Sequence, residues 1–443
     1  MLTEQNILKA LSQIIDPDLH KDIVTLGFVR NIVINGADLS FDIALTTPAC
    51  PVRAEFETRA REAVQGLPGI KNVKINMTTL PRSQASTALP QGHGLEQVRS
   101  LIAVSSCKGG VGKSTVTAQF ASELARRGFR VGILDADIHG PSIPALFDIQ
   151  NPQIEVNAQK QFLPIERNKL KIMSFGFLLG DAPAVMRGPM VSNYIQQLIH
   201  NTAWGELDYL FLDMPPGTGD VQLTITQNVR LSGAVIVTTR QTLSLIDVSR
   251  GILMFEKVDV PILGIVENMA YFICNHCTQR HEIFGNSKGR TLSDRFGLAT
   301  LAEIPILPQF THPIQKPMEN MYISNAVDAM VRALGTISVR QKQSPDIRFD
   351  QSAISLRWAD GTQDIFSNRD VRLSCGCALC VNEMTGEKIL NPESIRADIA
   401  ALKIVTLGNY AIGIDWNDGH SSGIYPYKNL KSLPQGSAAS PLK

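Results

Sequence analysis

No apolar run in this sequence approaches the roughly 18–20 residues that a helix needs to cross a bilayer, so a helical membrane span is not expected. Net charge is missing too: 42 Lys and Arg stand against 41 Asp and Glu. A chain without a broad field of one sign has little long-range attraction for phosphodiester backbones or anionic lipid, so neither nucleic acid nor membrane is expected as a partner. The opening residues, MLTEQNILKALSQII, lack the basic segment and continuous apolar core of a secretory signal. They read instead as an amphipathic helix with Leu2, Ile7, Leu8, Leu11 and Ile15 on one side. A cytoplasmic, reducing location is the expectation. Internal repeats are absent. What remains is an ordinary globular composition, 44% apolar and 19% charged. The 443 residues suffice for about three domains.

Residues 1–82 read as a small α+β unit. A first helix precedes strands around Gly27–Ile34 and Leu39–Leu45, a second helix covers Arg53–Val64, and a last strand covers Val73–Met77. Residues 83–98 form a linker, whose stretch SQASTALPQGHG has the composition of a flexible tether. From Leu101 onward, short apolar runs recur without polar alternation at Leu101–Val104, Val131–Leu134, Tyr209–Leu212, Ala234–Val237 and Ile262–Val266. Strands buried on both faces have this pattern, and helical periodicity separates them. The expected fold is therefore α/β, with a mostly parallel sheet over residues 99–338. Ser114–Arg127 is the clearest helix, because Val116, Phe120 and Leu124 repeat every four residues and Gly128 can end it. A second linker is expected at 339–346, a small β-rich domain at 347–433 and a disordered tail at 434–443. The β-rich part carries strands at Ile354–Trp358, Gln363–Phe366, Lys403–Leu407 and Ala411–Trp416, with Asp-Gly turns at 360–361 and 418–419.

Residues 101–115 read LIAVSSCKGGVGKST, the order strand, glycine-rich turn, helix. In that order, backbone N–H groups of the turn and the helix N-terminus cradle phosphate oxygens. The candidate ATP-binding set is Cys107, Lys108, Gly109, Gly110, Val111, Gly112, Lys113, Ser114 and Thr115. Lys113 reaches the β/γ-phosphates, Ser114 holds Mg²⁺ and Thr115 adds a contact near the α-phosphate. Cys107 stands where the strict motif has glycine, either as a small residue tolerated at the loop entry or as a redox or ligand group. Asp213 ends one apolar run ahead of MPPGTGD, as a Mg²⁺-orienting carboxylate does. Asp135 and Asp137 end another, in LDADIHGPS, at the carboxyl edge where sheet ligands gather. Asp137 is assigned to position the attacking water and Asp135 to the metal's water shell.

Lys108, a second lysine inside the loop, resembles the signature lysine of the deviant Walker A family, which includes septum-site and partition ATPases, nitrogenase iron protein and the Mrp/ApbC group. That resemblance implies a homodimer in which Lys108 crosses the two-fold axis to the partner's phosphates, working as an arginine finger supplied in trans. Catalysis would then rest on Lys108, Lys113 and Asp137.

Seven cysteines is an odd number, and five fall in two tight groups, a spacing that favours metal over disulfides in a chain without a secretory signal. The segment IVENMAYFICNHCTQRHEIFG, residues 265–285, resembles the Mrp/ApbC scaffold proteins of iron–sulfur assembly, where N-M-x-x-F precedes C-x-x-C and H-x-I-F-G. DIHGPSIP (137–144) and MRGPM (186–190) are similar to the same family. A [4Fe–4S] cluster usually takes about four thiolates, so one Cys274/Cys277 pair from each subunit would bridge it. Asn275 stands where the family usually has proline. Zinc, with His276 or His281 as a further ligand, and ligand-free thiols remain the other readings. Asn268 matches the family residue that contacts adenine; a plain turn residue is the alternative.

Residues 8–64, with DPDLHKDIVTLGFV and TTPACP, resemble the MIP18-like domain of iron–sulfur targeting factors. Cys50 at the strand-to-helix turn is expected to have a lowered pKa from the helix N-terminus, which would favour metal binding; a buried structural cysteine is the alternative. Toward the C-terminus, Cys375, Cys377 and Cys380 with a distant His420 suit a closed tetrahedral zinc site, with a cluster or free thiols as alternatives. Their spacing is similar to the small N-terminal domain of γ-butyrobetaine hydroxylase, and nothing resembles that oxygenase's catalytic domain. The whole architecture is most similar to the high-chlorophyll-fluorescence type of Mrp protein, which serves [4Fe–4S] assembly in plastids. The expected function is therefore an ATP-hydrolysing carrier. It would receive a [4Fe–4S] cluster from upstream scaffolds and deliver it to apo iron–sulfur proteins. A partition-like positional ATPase is the alternative.

Overall fold

The sharp change from alternating to continuous apolar character near residue 100 is a change of architecture. The structure, a computed structural model, describes residues 3–79, 94–138, 140–150, 152–179, 188–217, 219–229, 231–240, 244–258, 260–284, 297–307, 310, 313–314, 319–340, 345–358, 361–377, 380–381, 387–407, 411–421 and 423–434. The chain divides into two compact units: residues 1–87 with 327–339, and residues 88–326 with 340–443.

In the first unit, helix α1 (Glu4–Leu11) is capped by Thr3, whose hydroxyl accepts from the Asn6 amide. Strands β1 (Val29–Asn35) and β2 (Asp38–Leu45) are antiparallel, and β3 (Asn72–Thr79) joins β2 in parallel after helix α2 (Arg53–Gln65). Alternation along β2 turns Leu39, Phe41 and Ile43 into a core with Ile7, Leu11, Phe56 and Ala60, while the other face is polar. Asn31 and Asn76 there both donate to Asp42, which is held below the usual carboxylate range.

The second unit contains an eight-stranded sheet. Its chain-ordered strands are β4 (Val98–Ser105), β5 (Val131–Asp135), β6 (Ile165–Arg167), β7 (Leu170–Ser174), β8 (Leu207–Asp213), β9 (Gly233–Thr238), β10 (Ile262–Glu267) and, after the two-residue strands β11 (Phe272–Ile273) and β12 (Arg280–His281), β13 (Thr300–Glu303). Across the sheet they run β13-β10-β9-β4-β8-β5-β7-β6, parallel except for the edge strand β6. The five apolar runs are all strands of this sheet. Strands β6, β7 and β13 escape sequence reading: β6 and β7 are short, carry charged residues and meet at a tight Asn168-Lys169 turn, and β13 has one buried residue in four. The long helix Met321–Arg340 also went unread; its last two residues and the first residue of β14 (Asp346–Phe349) fall within the expected second linker, of which residues 341–344 lie outside the described residues. Gly94, Leu95 and Val98 of the expected first linker are buried; 80–93 lie outside the described residues, as do 186–187 of MRGPM, Asp360 and 435–443 of the tail.

The C-terminal part holds two three-stranded antiparallel sheets. One is β14 with β15 (Ala353–Arg357) and β16 (Gln363–Ser367); the other is β17 (Ala401–Leu407), β18 (Ala411–Trp416) and β19 (Ile424–Pro426). Their shared core of Ile354, Leu356, Phe366, Ile412, Trp416 and Tyr425 includes Cys375 and Cys380.

Candidate nucleotide and metal sites

β4 ends at Ser105, the chain turns through residues 106–112, and helix α3 (Lys113–Arg126) starts at Lys113. Gly112 caps α3 with φ +82°, left-handed backbone that a side chain rarely adopts, and a Cβ there would collide with the Asn268 amide. Asn268 donates through Nδ2 to the Val111 carbonyl at 2.9 Å. The residue matched to adenine contact thus lies against the phosphate loop, and its own backbone N–H is held by Thr238 O at the end of β9.

The loop's charged groups converge at the sheet's carboxyl edge. Lys113 Nζ is 2.7 Å from Asp213 Oδ2 and 3.9 Å from Asp137 Oδ2. Ser114 Oγ donates to Asp213 Oδ2 at 2.6 Å. Thr117, one turn further along α3, donates to Asp213 Oδ1 at 2.8 Å; it was missed in the sequence, where its spacing of four from Lys113 was the available signal. Asp135 is fully buried and accepts from the Asp137 and Ile143 amides and from Ser174 Oγ. Burial first, and the Asp213 charge second, push its carboxyl up to about 8. Asp137 Oδ1 is buried with no hydrogen-bond partner. A cation with its water shell would satisfy that orphaned oxygen, so the donor set fits Mg²⁺. Lys108, Gly109 and Gly110 are exposed on the loop. Cys107 Sγ packs against Gly251 of the helix Ser244–Lys257, where a Cβ would collide with it; the sulfur fills a notch left by a glycine on a neighbouring helix.

Past Asn268 the chain forms the β11–β12 hairpin, with Phe272 opposite His281 and Ile273 opposite Arg280. Its tip is closed by Cys274 N–H to Gln279 O and Thr278 N–H to Cys274 O, with Thr278 in left-handed backbone. Backbone N–H groups of Cys277 and His276 donate to Cys274 Sγ, and with the Cys277 thiol they hold it below the ordinary thiol range. Donor atoms of Cys274, Cys277 and His281 lie within 4.8 Å of one another. His276 is exposed and outside this group, so His281 is the imidazole that converges.

The second cluster is tighter. His420 Nε2 stands 3.2, 3.5 and 3.9 Å from the sulfurs of Cys375, Cys377 and Cys380. A tetrahedral zinc with Zn–S bonds of about 2.3 Å separates its ligands by about 3.8 Å, so these four donors fit one ion. Hydrogen bonds with Cys377 and Cys380 push His420 up to about 9, and contacts with Cys377 and Cys380, then burial, raise the Cys375 thiol. Arg372, unrecognised in the sequence, donates to Cys380 Sγ at 3.5 Å and to Asp418 at 2.9 Å, a buried cation beside an electron-rich sulfur group.

Cys50 departs from expectation. It sits at the start of α2, but burial raises its thiol pKa and the Val52 amide offsets only part of that; Asp16 and Asp18 add to the rise. The helix N-terminus does not produce a ready thiolate here, because desolvation is the larger effect.

A profile described as NUBPL iron-transfer P-loop NTPase matches residues 97–338. One described as iron-sulfur cluster assembly protein matches residues 4–77, and one described as gamma-butyrobetaine hydroxylase-like, N-terminal, matches residues 346–431. The chain is 41% identical to the chloroplastic Fe-S cluster assembly factor HCF101 of Arabidopsis thaliana, over 97% of this chain and 83% of that protein. It is 43% identical to an iron-sulfur cluster carrier protein of Synechocystis, over 69% of this chain and 88% of the relative. A solved nucleotide-binding protein of Archaeoglobus fulgidus in complex with ADP is 39% identical, with a TM-score of 0.45, covering 54% of this chain and 90% of its own. With the phosphate loop and its three carboxylates at the edge of the large sheet and the cysteine hairpin as a separate two-stranded ribbon in the same unit, the chain belongs to the iron-transfer P-loop NTPase family, extended on both sides by an iron–sulfur assembly domain and a hydroxylase-like N-terminal domain.

Proposed function

We propose that this protein is an ATP-hydrolysing carrier that holds a [4Fe–4S] cluster between two copies of the chain and transfers it to apo iron–sulfur proteins. The observation that carries this reading is the Cys274/Cys277 hairpin, which leaves the sheet only a few residues after Asn268 touches the phosphate loop. Two thiols per chain are half the ligands a cubane cluster takes, and a two-fold dimer supplies the rest. Lys113, Ser114, Asp135, Asp137 and Asp213 hold nucleotide and Mg²⁺; Lys108 completes the partner's site. Domain boundaries at 1–82, 99–338 and 347–433 go with this reading, as does a location in a reducing compartment.

Anaerobic reconstitution tests it. Wild-type protein should take up about four irons and four sulfides per two chains, with a cluster absorbance lost in Cys274→Ala/Cys277→Ala. Full retention of that absorbance in the double variant sinks the reading. A second reading is favoured by the convergence of His281 with the two thiols, since three donors this close suit one thiophilic ion in a single chain. It requires about one zinc per chain at this hairpin and its loss in His281→Ala; cluster binding unaffected by His281→Ala decides for the bridging cluster.

A further inference from the structure

One buried guanidinium gathers carboxylates from three separate segments around the base of the cysteine hairpin. Arg240, just past β9, has a side chain only 7% exposed. Its Nε donates to Glu267 at the end of β10 (2.8 Å), its Nη1 to Glu282 beyond β12 (3.3 Å) and its Nη2 to Glu303 at the end of β13 (2.5 Å). Arg280, on β12, bonds Glu282 at 3.2 Å and Glu303 at 2.9 Å, and its guanidinium lies 3.8 Å over the Tyr271 ring. Glu267 is the residue before Asn268, and Asn268 donates to the phosphate loop. Loop, strand end and hairpin are therefore joined by consecutive polar contacts within one unit.

We propose that Arg240 and its three glutamates are positioning residues that transmit nucleotide occupancy to Cys274 and Cys277. The inference rests on the reading of the hairpin as a metal-binding element and adds the path of communication. The planar fork of arginine fixes three acceptors at once, which a flexible point charge cannot do. A shift of Asn268 when nucleotide fills the loop it touches would displace Glu267, its chain neighbour. A buried carboxylate cannot drift from a deeply buried counter-ion without a large desolvation cost. Arg240 must then follow or exchange partners, and either response moves Glu282, five residues past Cys277 on the same hairpin. Because coupling is reciprocal, metal at the hairpin must also alter nucleotide affinity by the same factor.

The test uses the full-length protein and Co²⁺ as the probe. Co²⁺ affinity is measured with and without Mg–ADP, and the Cys274→Ala/Cys277→Ala form supplies the baseline from other thiols. Wild type should show a nucleotide-dependent change in Co²⁺ affinity of about fivefold or more. In Arg240→Gln and in Glu282→Gln the ratio should fall to about one while each ligand alone still binds. Glu282 is 29% exposed and on the hairpin side, so its variant keeps the experiment decisive should Arg240→Gln fail to fold. A wild-type ratio of one, or a ratio unchanged in Glu282→Gln, overturns the inference and leaves the metal reading standing. Absence of any Co²⁺ signal above the baseline removes the metal reading itself, and the inference with it.

Discussion

At the scale of single residues, Lys108 is the position to which the proposed dimer gives a role that an ordinary P-loop lacks. Its neighbour Lys113 is buried against Asp213, whereas Lys108 is exposed on the loop. A group that only anchors nucleotide in its own chain would change affinity when removed. A group that meets developing charge on the partner's phosphates would change turnover instead. Lys108→Ala should therefore lower the ATPase rate by about 10³-fold or more, with ADP affinity held within a few-fold. Equilibrium binding beside steady-state hydrolysis checks it, and a parallel loss of both counts against it. The loop-to-helix turn was legible in the sequence because its requirement is backbone geometry: Gly112 and Lys113 have to stand where the turn becomes a helix. Cys50 was misread for a different reason. Its position at α2 is visible in the sequence, but the extent of its burial is set by distant residues and outweighs the local helix effect.

At the scale of elements, helix α3 does more than carry the loop. Glu123 on its inner face accepts from Arg126, Arg127 and Ser324, the last on the helix Met321–Arg340. Burial alone would raise this carboxyl, but those hydrogen bonds together hold it below its ordinary value. A lowered folded-state pKa contributes stability that is present above the unfolded value of about 4.3 and lost as pH falls through the folded value. Glu123→Gln should cost about 2 kcal/mol near neutral pH, a buried-pair loss discounted because both arginines are partly exposed. The gap to wild type should narrow as denaturation curves are taken below about pH 4; a gap independent of pH means that the charge is not what the helix pair uses. A metal held by Cys375, Cys377, Cys380 and His420 would tie the C-terminal sheets together in the same local way, since Cys375 and Cys380 are part of their core. Zinc removal by chelation, or Cys375→Ser, should melt that domain first, seen as early loss of hydrogen-exchange protection along β17 and β18. Retained protection without metal would make the four donors ornamental. The Cys₃His set was readable as spacing; Arg372 beside it was not, because nothing in a local pattern brings residue 372 to Asp418.

At the scale of the whole molecule, the reading requires two chains, and the requirement can be stated without any cluster. On the proposed reading, each site needs Lys113 from the chain that binds the nucleotide and Lys108 from the other. A Lys108→Ala chain keeps a complete nucleotide pocket but offers nothing to its partner, and a Lys113→Ala chain does the reverse. Each variant alone should be close to inactive. Mixed in equal amounts and allowed to exchange, half of the dimers pair one of each, and each mixed dimer has one intact site of two. The mixture should therefore recover about a quarter of wild-type activity per chain. If Lys108 instead acted within its own chain, every chain in the mixture would still lack one lysine, and mixing would recover nothing. The same mixture prepared with Cys274→Ala/Cys277→Ala on one variant tells whether an intact four-thiol interface is needed for the restored turnover. A restored rate that persists with two of the four thiols missing uncouples hydrolysis from the metal, and a rate that collapses binds the two sites into one machine.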